Sequence, residues 1–357
     1  MASPPSPAPA HAPLIPLIRT GGPPREMGVD IGRGARDQIR AAAALAKDEL
    51  GGADPAAMLD HAGPFLAATE AAAPWLIAEL RGMAEGSGVA FETLFLLNAG
   101  EELMQAAGRH GCTVAGVSGA GTADGHVLLA HNEDNTAGWA DFTYVIHAEP
   151  DGAPAYAAFA YGGLMLHQGV NAAGLGSVGN ALYARDARPG VPKLFAYRRI
   201  LRETTLEGAI RAATGAERAF GNNHLLATAH DELADIEVTG TAWAMIPGNN
   251  RLLVHANHLE HPALAGMDDG DDLLNSRLRK LRVESLLERG FGGLTLDALR
   301  AAMSDHAGWP GAVCKHHAPE SDLEYGTIGS VLIDVSDRRL LACAGNPCRG
   351  AWREVRL

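Results

Sequence analysis

Long apolar runs are missing from this 357-residue chain. Stretches such as Ala71–Ala78 are closed off by charges, here Glu70 and Glu79. They stay well short of the about 20 residues that a bilayer-spanning helix needs, so no membrane segment is expected. Positive charge is scarce: 29 Lys and Arg against 42 Asp and Glu leave −13 at pH 7. A chain that grips nucleic acid or an anionic membrane through its field needs the opposite sign, and both partners are excluded on that ground. Cysteine is sparse too. Cys112, Cys314, Cys343 and Cys348 are too few and too scattered for a disulfide scaffold, which makes a reducing, cytoplasmic setting the expectation. The N-terminus lacks a basic start followed by an apolar run, so residues 1–30 read as a flexible Pro-rich tail and lead-in, not a secretory signal. What is present is ordinary globular composition, 47% hydrophobic and 20% charged, enough for a sizeable core. A small molecule or short peptide is the partner such a chain suits.

The first hundred residues differ in pattern from the rest. From Ala35 to about Gln105, apolar residues recur at helical spacing: Ile39, Ala42, Ala43 and Leu45, then Phe65, Leu66, Leu76, Leu80 and Met83, then Leu94, Leu97 and Leu103. From Cys112 onward short β runs bounded by Gly, Asp or Asn take over, among them Thr113–Val117, Val127–His131, Leu175–Val178, Arg251–His255, Ile328–Asp334 and Leu340–Ala344. Helical patterns at Lys193–Thr204, Leu206–Ala213, Leu273–Arg289 and Leu296–Ser304 interrupt them. Strands gathered into sheets with helices between fit a layered α+β architecture better than a regular βαβ alternation. The acidic loop Asp268–Asp272 reads as a cap for the helix behind it, with Ca²⁺ binding as the other reading.

The change of texture falls at Gly111-Cys112. A cysteine at a strand start is by itself most simply a small core residue. Here Gly111 leaves the preceding carbonyl unshielded and its backbone free, which is what attack on that peptide bond by the Cys112 thiol requires. About twenty residues on, Asn132 and Asp134 alternate along a strand end and would point the same way, back toward the start of the neighbouring strand.

Six short motifs then occur in order: Gly111-Cys112-Thr113, Asn132-x-Asp134, Gly169-Val-Asn171-x-x-Gly174, Asn180-Ala-Leu182, Gly190-Val-Pro192 and Val254-His-Ala-Asn257-His258. From about Asp30 to the C-terminus the chain resembles the acyl-coenzyme A:6-aminopenicillanic acid acyltransferase family (peptidase C45) of the N-terminal nucleophile hydrolases. The resemblance implies a four-layer αββα sandwich and a zymogen that cuts itself between Gly111 and Cys112. The mainly helical 31–111 would then be the α chain and 112–357 the catalytic β chain, the two fragments staying together. The freed α-amine of Cys112 would take the proton from its own thiol. With an ordinary pKa of about 7.7–8.0, an α-amine suits a general base at working pH. By the same resemblance Asp134 orients the amine and assists self-cleavage, and the Asn257 amide helps hold the oxyanion. Thr113 and Asn132 would act through hydrogen bonds behind the site, and Asn171 and Asn180 would brace loops.

The implied activity is amide hydrolysis or acyl transfer through a Cys112 thioester, on a small amide, an acyl-amine or a short peptide. No cofactor or metal is implied, and a homo-oligomer is left open. Two departures bear on the substrate. Glu133 stands where the penicillin-forming relative has a bulky aromatic, and Asp322-Leu-Glu324-Tyr325 where it has an Arg. Glu133 and Tyr325 are therefore candidate substrate-binding residues, in a cleft expected to disfavour carboxylates. Two rival readings stay open. One is a metal hydrolase built on His255, His258 and His261, with His316-His317 following Cys314 further on; steps of three at a strand-to-loop junction argue against that histidine set. The other is a relative that binds a ligand without turnover.

Overall fold

The computed structural model describes residues 13–49, 55–104, 111–136, 138–215, 217–246, 251–269, 273–317 and 325–357. The N-terminal part runs β1 (Leu17–Gly22), α1 (Pro24–Gly34), α2 (Arg36–Glu49), α3 (Pro55–Ala72), α4 (Pro74–Ser87), α5 (Phe91–Asn98) and α6 (Gly100–Met104). After it come β2 (Cys112–Val117), β3 (Leu128–Thr136), β4 (Thr143–Pro150), β5 (Tyr156–Tyr161), β6 (Gln168–Asn171) and β7 (Leu175–Ala181). Next are α7 (Lys193–Ile200), α8 (Leu206–Thr214), β8 (Asn222–Thr228), β9 (Leu233–Val238), β10 (Trp243–Met245) and β11 (Leu252–His255). The last are α9 (Leu273–Glu288), α10 (Leu296–Met303), β12 (Tyr325–Asp334), β13 (Arg339–Ala344) and β14 (Arg353–Arg356).

The strands form an eight-stranded sheet, ordered β1-β4-β5-β6-β7-β8-β9-β10, and a six-stranded sheet, ordered β11-β2-β3-β12-β13-β14. Alternation along the strands creates the layers. Val114, Leu129 and Val331 face Phe159, Val170 and Leu225 between the sheets, while their neighbours Ala115, Ala130 and Leu332 pack outward on Val283, Leu299 and Met303 of α9 and α10. Tyr144, Ile146 and Tyr156 cover the far side of the larger sheet and meet Ile31, Ile39, Leu76 and Met83 of the N-terminal helices. The architecture is the expected four-layer αββα sandwich.

The lead-in to residue 30 carries structure that its composition did not announce: β1 pairs in parallel with β4 at the edge of the larger sheet, and α1 follows it. Residues 1–12 lie outside the described residues. A single strand has no turn partner in sequence, so only the sheet edge defines it. Strands β6 and β14 are likewise short and become strands through their neighbours. Helices α1 and α4 touch backbone to backbone, because Gly28 and Gly32 of one interlock with Gly82 and Gly86 of the other; a Cβ at Gly28 would run into the Glu79 carbonyl.

One buried ion pair ties the N-terminal helices to the rest. Arg198 of α7 donates from Nε to Glu79 Oε1 of α4 at 3.2 Å, with Nη2 3.1 Å from Oε2, and its guanidinium lies 4.5 Å from the Tyr156 ring centre. Removing one partner strands a buried charge, which costs about 3–5 kcal/mol. Glu79→Ala should lower stability by that amount in denaturant titration, and a Glu79→Leu, Arg198→Met double variant should recover much of it. A single variant within about 0.5 kcal/mol of wild type, the usual scatter for surface changes, would show that the pair is incidental.

Candidate active site

Cys112 opens β2, on the face that carries Val114 into the layer between the sheets, and is buried. Its cross-strand partner on β3 is Glu133, whose Oε1 lies 3.8 Å from the Cys112 Sγ. Tyr161 donates to that same oxygen at 3.1 Å and Gln168 to Oε2 at 3.4 Å, while the His131 Nε2 stands 3.3 Å from Oε2. Here the inter-sheet layer turns from apolar to polar. Burial pushes the Glu133 carboxyl up to about 8, with the Asp134 charge adding to it. Burial also lifts the Cys112 thiol well above its ordinary value, reinforced by Glu133 and Asp134. His131 is driven down to about 3 by burial, so its ring is neutral. A thiol so placed holds its proton until a base takes it.

The bond ahead of Cys112 is held from the other side. The Gly111 carbonyl accepts from the Asp134 backbone N–H at 2.8 Å. The Asp134 carboxylate accepts from Thr327 Oγ1 at 2.8 Å and lies 3.2 Å from Lys315 Nζ. A Cβ at position 111 would come within 2.7 Å of that Nζ and 2.8 Å of Asp134 Oδ2, so a side chain there would have to push this ion pair aside. Lys315 is itself buried, and its backbone pairs with Thr327, donating to Oγ1 at 3.0 Å and accepting from the Thr327 N–H at 2.9 Å.

Asn257 follows β11, and its Oδ1 accepts from the Cys112 N–H at 2.8 Å. That oxygen also accepts from Arg279 Nη2 at 2.8 Å, while the Asn257 Nδ2 donates to the Ala181 carbonyl at 3.0 Å. Arg279 projects from α9. Its Nη1 donates to the Cys112 carbonyl at 2.5 Å and to Thr113 Oγ1 at 2.6 Å, and its Nε to Asn275 Oδ1 at 2.9 Å. A single guanidinium thus fixes Cys112, Thr113 and Asn257 relative to one another.

Of the sequence candidates, the structure brings Gly111, Cys112, Glu133, Asp134 and Asn257 together. Asn132, which shares the outer face of β3 with Asp134, donates to the Met303 and Val313 carbonyls and anchors the helix layer. Asn171 donates to the Leu201 and Glu203 carbonyls, a loop brace. Tyr325 starts β12 opposite Thr136, two residues from Thr327, and is half-buried. Glu324 lies outside the described residues, as does part of the acidic loop, 270–272. Glu133 sits beneath the thiol and is neutral up to about 8, so its negative charge bears on a bound substrate only above that pH. Sequence reasoning missed Arg279 and Lys315. Arg279 did leave a trace: it shares with Ser276, Val283 and Leu287 the buried stripe of α9, where a charge needs a partner. Lys315 left none, since it stands in an irregular segment.

The family model for acyl-coenzyme A:6-aminopenicillanic acid acyl-transferase matches residues 121–349. The chain belongs to that family. Among solved structures, a penicillin V acylase from Agrobacterium tumefaciens aligns at 11% identity and a TM-score of 0.43, over 69% of this chain and 86% of that one. A conjugated bile acid hydrolase from Clostridium perfringens aligns at 10% and 0.45, over 69% and 97%. No curated protein matches. Membership in the acyl-transferase family places the chemistry in acyl transfer or amide hydrolysis on small acyl or amide substrates. Among the described residues no helix is long and apolar enough to cross a membrane.

The three histidines of the rival metal reading have separate tasks. His255 Nε2 pairs with Glu237 Oε1 at 3.0 Å, His258 Nδ1 lies 2.7 Å from Ser276 Oγ, and His261 Nδ1 caps a short turn by accepting from the Ala263 N–H. Burial opposes charge on His255, yet the Asp235 carboxylate and the bond to Glu237 together raise it from 6.5 to about 9. Glu237 is correspondingly held below the usual carboxylate value against its burial. A raised histidine contributes stability that is complete below its unfolded value of 6.5 and lost as pH climbs through about 9. The loss should be on the order of 3 kcal/mol. Melting curves of wild type and His255→Gln between pH 6 and 10 check this: the wild-type advantage should shrink as pH rises, and parallel curves would remove the claim.

Proposed function

We propose that the chain is a self-processing cysteine enzyme of the N-terminal nucleophile type, which cleaves itself between Gly111 and Cys112 and then acts on an amide through a Cys112 thioester. The observation that carries this reading is the Gly111 carbonyl, held by the Asp134 N–H at 2.8 Å, next to a thiol whose carboxyl neighbour stands 3.8 Å away. In self-cleavage the thiol proton passes to the Glu133 carboxylate while Sγ bonds to the Gly111 carbonyl carbon. The negative charge that develops on the carbonyl oxygen stays on the Asp134 N–H. Collapse breaks the C–N bond, and the Cys112 nitrogen takes up the proton, leaving a Gly111 thioester and a free α-amine. Water then hydrolyses the thioester to release the Gly111 carboxylate and the thiol.

In turnover the α-amine, held by Asn257 Oδ1, takes the thiol proton as Sγ attacks the substrate carbonyl. The second N–H of Asn257 Nδ2, the first being on Ala181, is the donor that this reading assigns to the tetrahedral oxyanion. The leaving amine carries off the proton, and water or a second amine resolves the acyl-enzyme. The two fragments would stay together, since β1 lies in the larger sheet and Glu79 pairs with Arg198 across the cut.

Intact mass and N-terminal sequencing of the purified chain test the reading, with fragments ending at Gly111 and beginning at Cys112 as the expected result. A single species of 37.2 kDa that stays intact on incubation would end it. A panel of N-acyl amino acids, acylated amines and short peptides then identifies the substrate. Asn257→Ala should still process at least in part yet lose about 10²–10³ in kcat, the typical effect of removing one oxyanion donor. Wild-type kcat in that variant would leave Asn257 as an anchor for the Cys112 nitrogen alone.

A further inference from the structure

Away from Cys112, four side chains with metal-ligand chemistry converge: His306, Cys314, His316 and Cys348, their ligand atoms all within 4.8 Å of one another. Both cysteines are reduced in this arrangement. Three elements supply them. His306 follows α10, Cys314 and His316 flank Lys315 in the segment before β12, and Cys348 lies in the turn between β13 and β14. The two histidines both face the cluster with Nε2, 3.0 Å apart. The sulfurs are 3.6 Å apart, and His316 Nε2 lies 3.6 Å from the Cys314 Sγ and 3.3 Å from the Cys348 Sγ.

These four distances match edges of a zinc-sized tetrahedron. Zinc–sulfur bonds of about 2.3 Å and zinc–nitrogen bonds of about 2.0–2.1 Å imply edges of about 3.8 Å between sulfurs, 3.6 Å between sulfur and nitrogen and 3.3 Å between nitrogens. Admitting the ion asks these four edges to grow by no more than about 0.3 Å, and the two remaining edges, from His306 Nε2 to the sulfurs, lie within 4.8 Å. Two thiolates with two imidazoles is the donor set that selects a tetrahedral, borderline-soft ion, and four protein ligands leave no open position for water or substrate. The surroundings also suit thiolate ligands. Asn346 Nδ2 donates to the Cys314 Sγ at 3.5 Å and to the Lys315 carbonyl at 2.5 Å, and the Trp309 ring lies 5.6 Å from the His316 ring. Lys315 and His317 alternate away from the cluster, toward Asp134 at 3.2 Å and the Asn135 carbonyl at 2.9 Å.

We propose that His306, Cys314, His316 and Cys348 form a structural Cys2His2 zinc site that pins the 304–317 segment to the β13–β14 turn. Its four ligands are distinct from the histidine trio at 255–261 and from Cys112. On binding, each cysteine gives up its proton to solvent and both histidines bind through neutral Nε2. One consequence rests on the self-processing reading: the ion fixes the two residues on either side of Lys315, and so the ammonium that lies against Asp134 and Gly111.

Elemental analysis of the full chain, purified under reducing conditions with zinc in the medium, should find one equivalent of zinc. Cobalt(II) added to metal-stripped protein should give the sulfur-to-metal charge-transfer band and intense visible bands of a tetrahedral S2N2 site. Cys348→Ser and His306→Ala should each lose the retained zinc, while Cys343→Ala, which is not one of the four converging residues, should keep it. Where a ligand variant fails to fold, the cobalt spectrum of the wild-type chain decides alone. A wild type that holds no zinc and gives no such spectrum overturns the proposal, as does zinc retained in full by both ligand variants or a Cys314–Cys348 disulfide in the freshly purified chain. Bound zinc in an uncut chain would sink the processing reading and leave the site standing. Normal processing in a chain that binds no metal would do the reverse.

Discussion

Cys112→Ala should purify as one uncut chain with no amide-cleaving or acyl-transferring activity, the largest effect that any single change here is expected to have. Two separate losses produce it. Without Sγ nothing attacks the Gly111 carbonyl, so the bond stays closed. Without that cleavage there is no α-amine, so even a supplied nucleophile would lack its base. The fold should survive, because the Sγ is a small part of a layer otherwise built by Val114, Leu129 and Phe159. Circular dichroism and intact mass read both points. Cys112→Ser separates nucleophile strength from position: a hydroxyl in the same place is far less nucleophilic near neutral pH and should cut slowly. An alanine variant severed at the same bond would mean that another protease makes the cut, and the self-processing argument would fall with it.

Glu133→Gln comes next in size. The Cys112 thiol is raised well above its ordinary value by burial and by the Glu133 and Asp134 charges, so almost no thiolate stands ready and a base must act during attack. The Glu133 oxygen at 3.8 Å is the carboxyl placed to serve, and its value of about 8 puts its basic form within reach of working pH. General-base removal typically costs about 10²–10⁴ in rate. Self-cleavage in the glutamine variant should slow by a factor in that range. The pH profile tells proton transfer from mere packing. Wild-type processing should accelerate with pH and level off above about 8, because only ionised Glu133 accepts the proton. The glutamine variant should show no inflection there. The same inflection in both proteins would place the base elsewhere, with Asp134 the next candidate.

The sequence determined a good deal unaided. The helical first third, the turn to β at Cys112 and most strand positions follow from apolar spacing, since period 3.6 and period 2 are local properties that survive in one dimension. The layered α+β class follows from the same pattern, and the six motifs in register carried the family. At position 111 the sequence suggested backbone freedom, whereas the structure adds that the Lys315 and Asp134 side-chain ends stand where a Cβ would be.

Only the tertiary structure decided who faces whom. Asn132 and Asp134 share a face of β3, but the intervening Glu133 projects between the sheets to the thiol, because register with β2 places it opposite Cys112. Arg279 reaches the site from 167 residues away in sequence, Lys315 from an irregular segment, and the Cys314, His316 and Cys348 cluster from two loops with His306 as its fourth member. No local periodicity records such contacts. They arise when two sheets and their helices close on one another, and burial then sets the charge states of groups that in an extended chain would be ordinary.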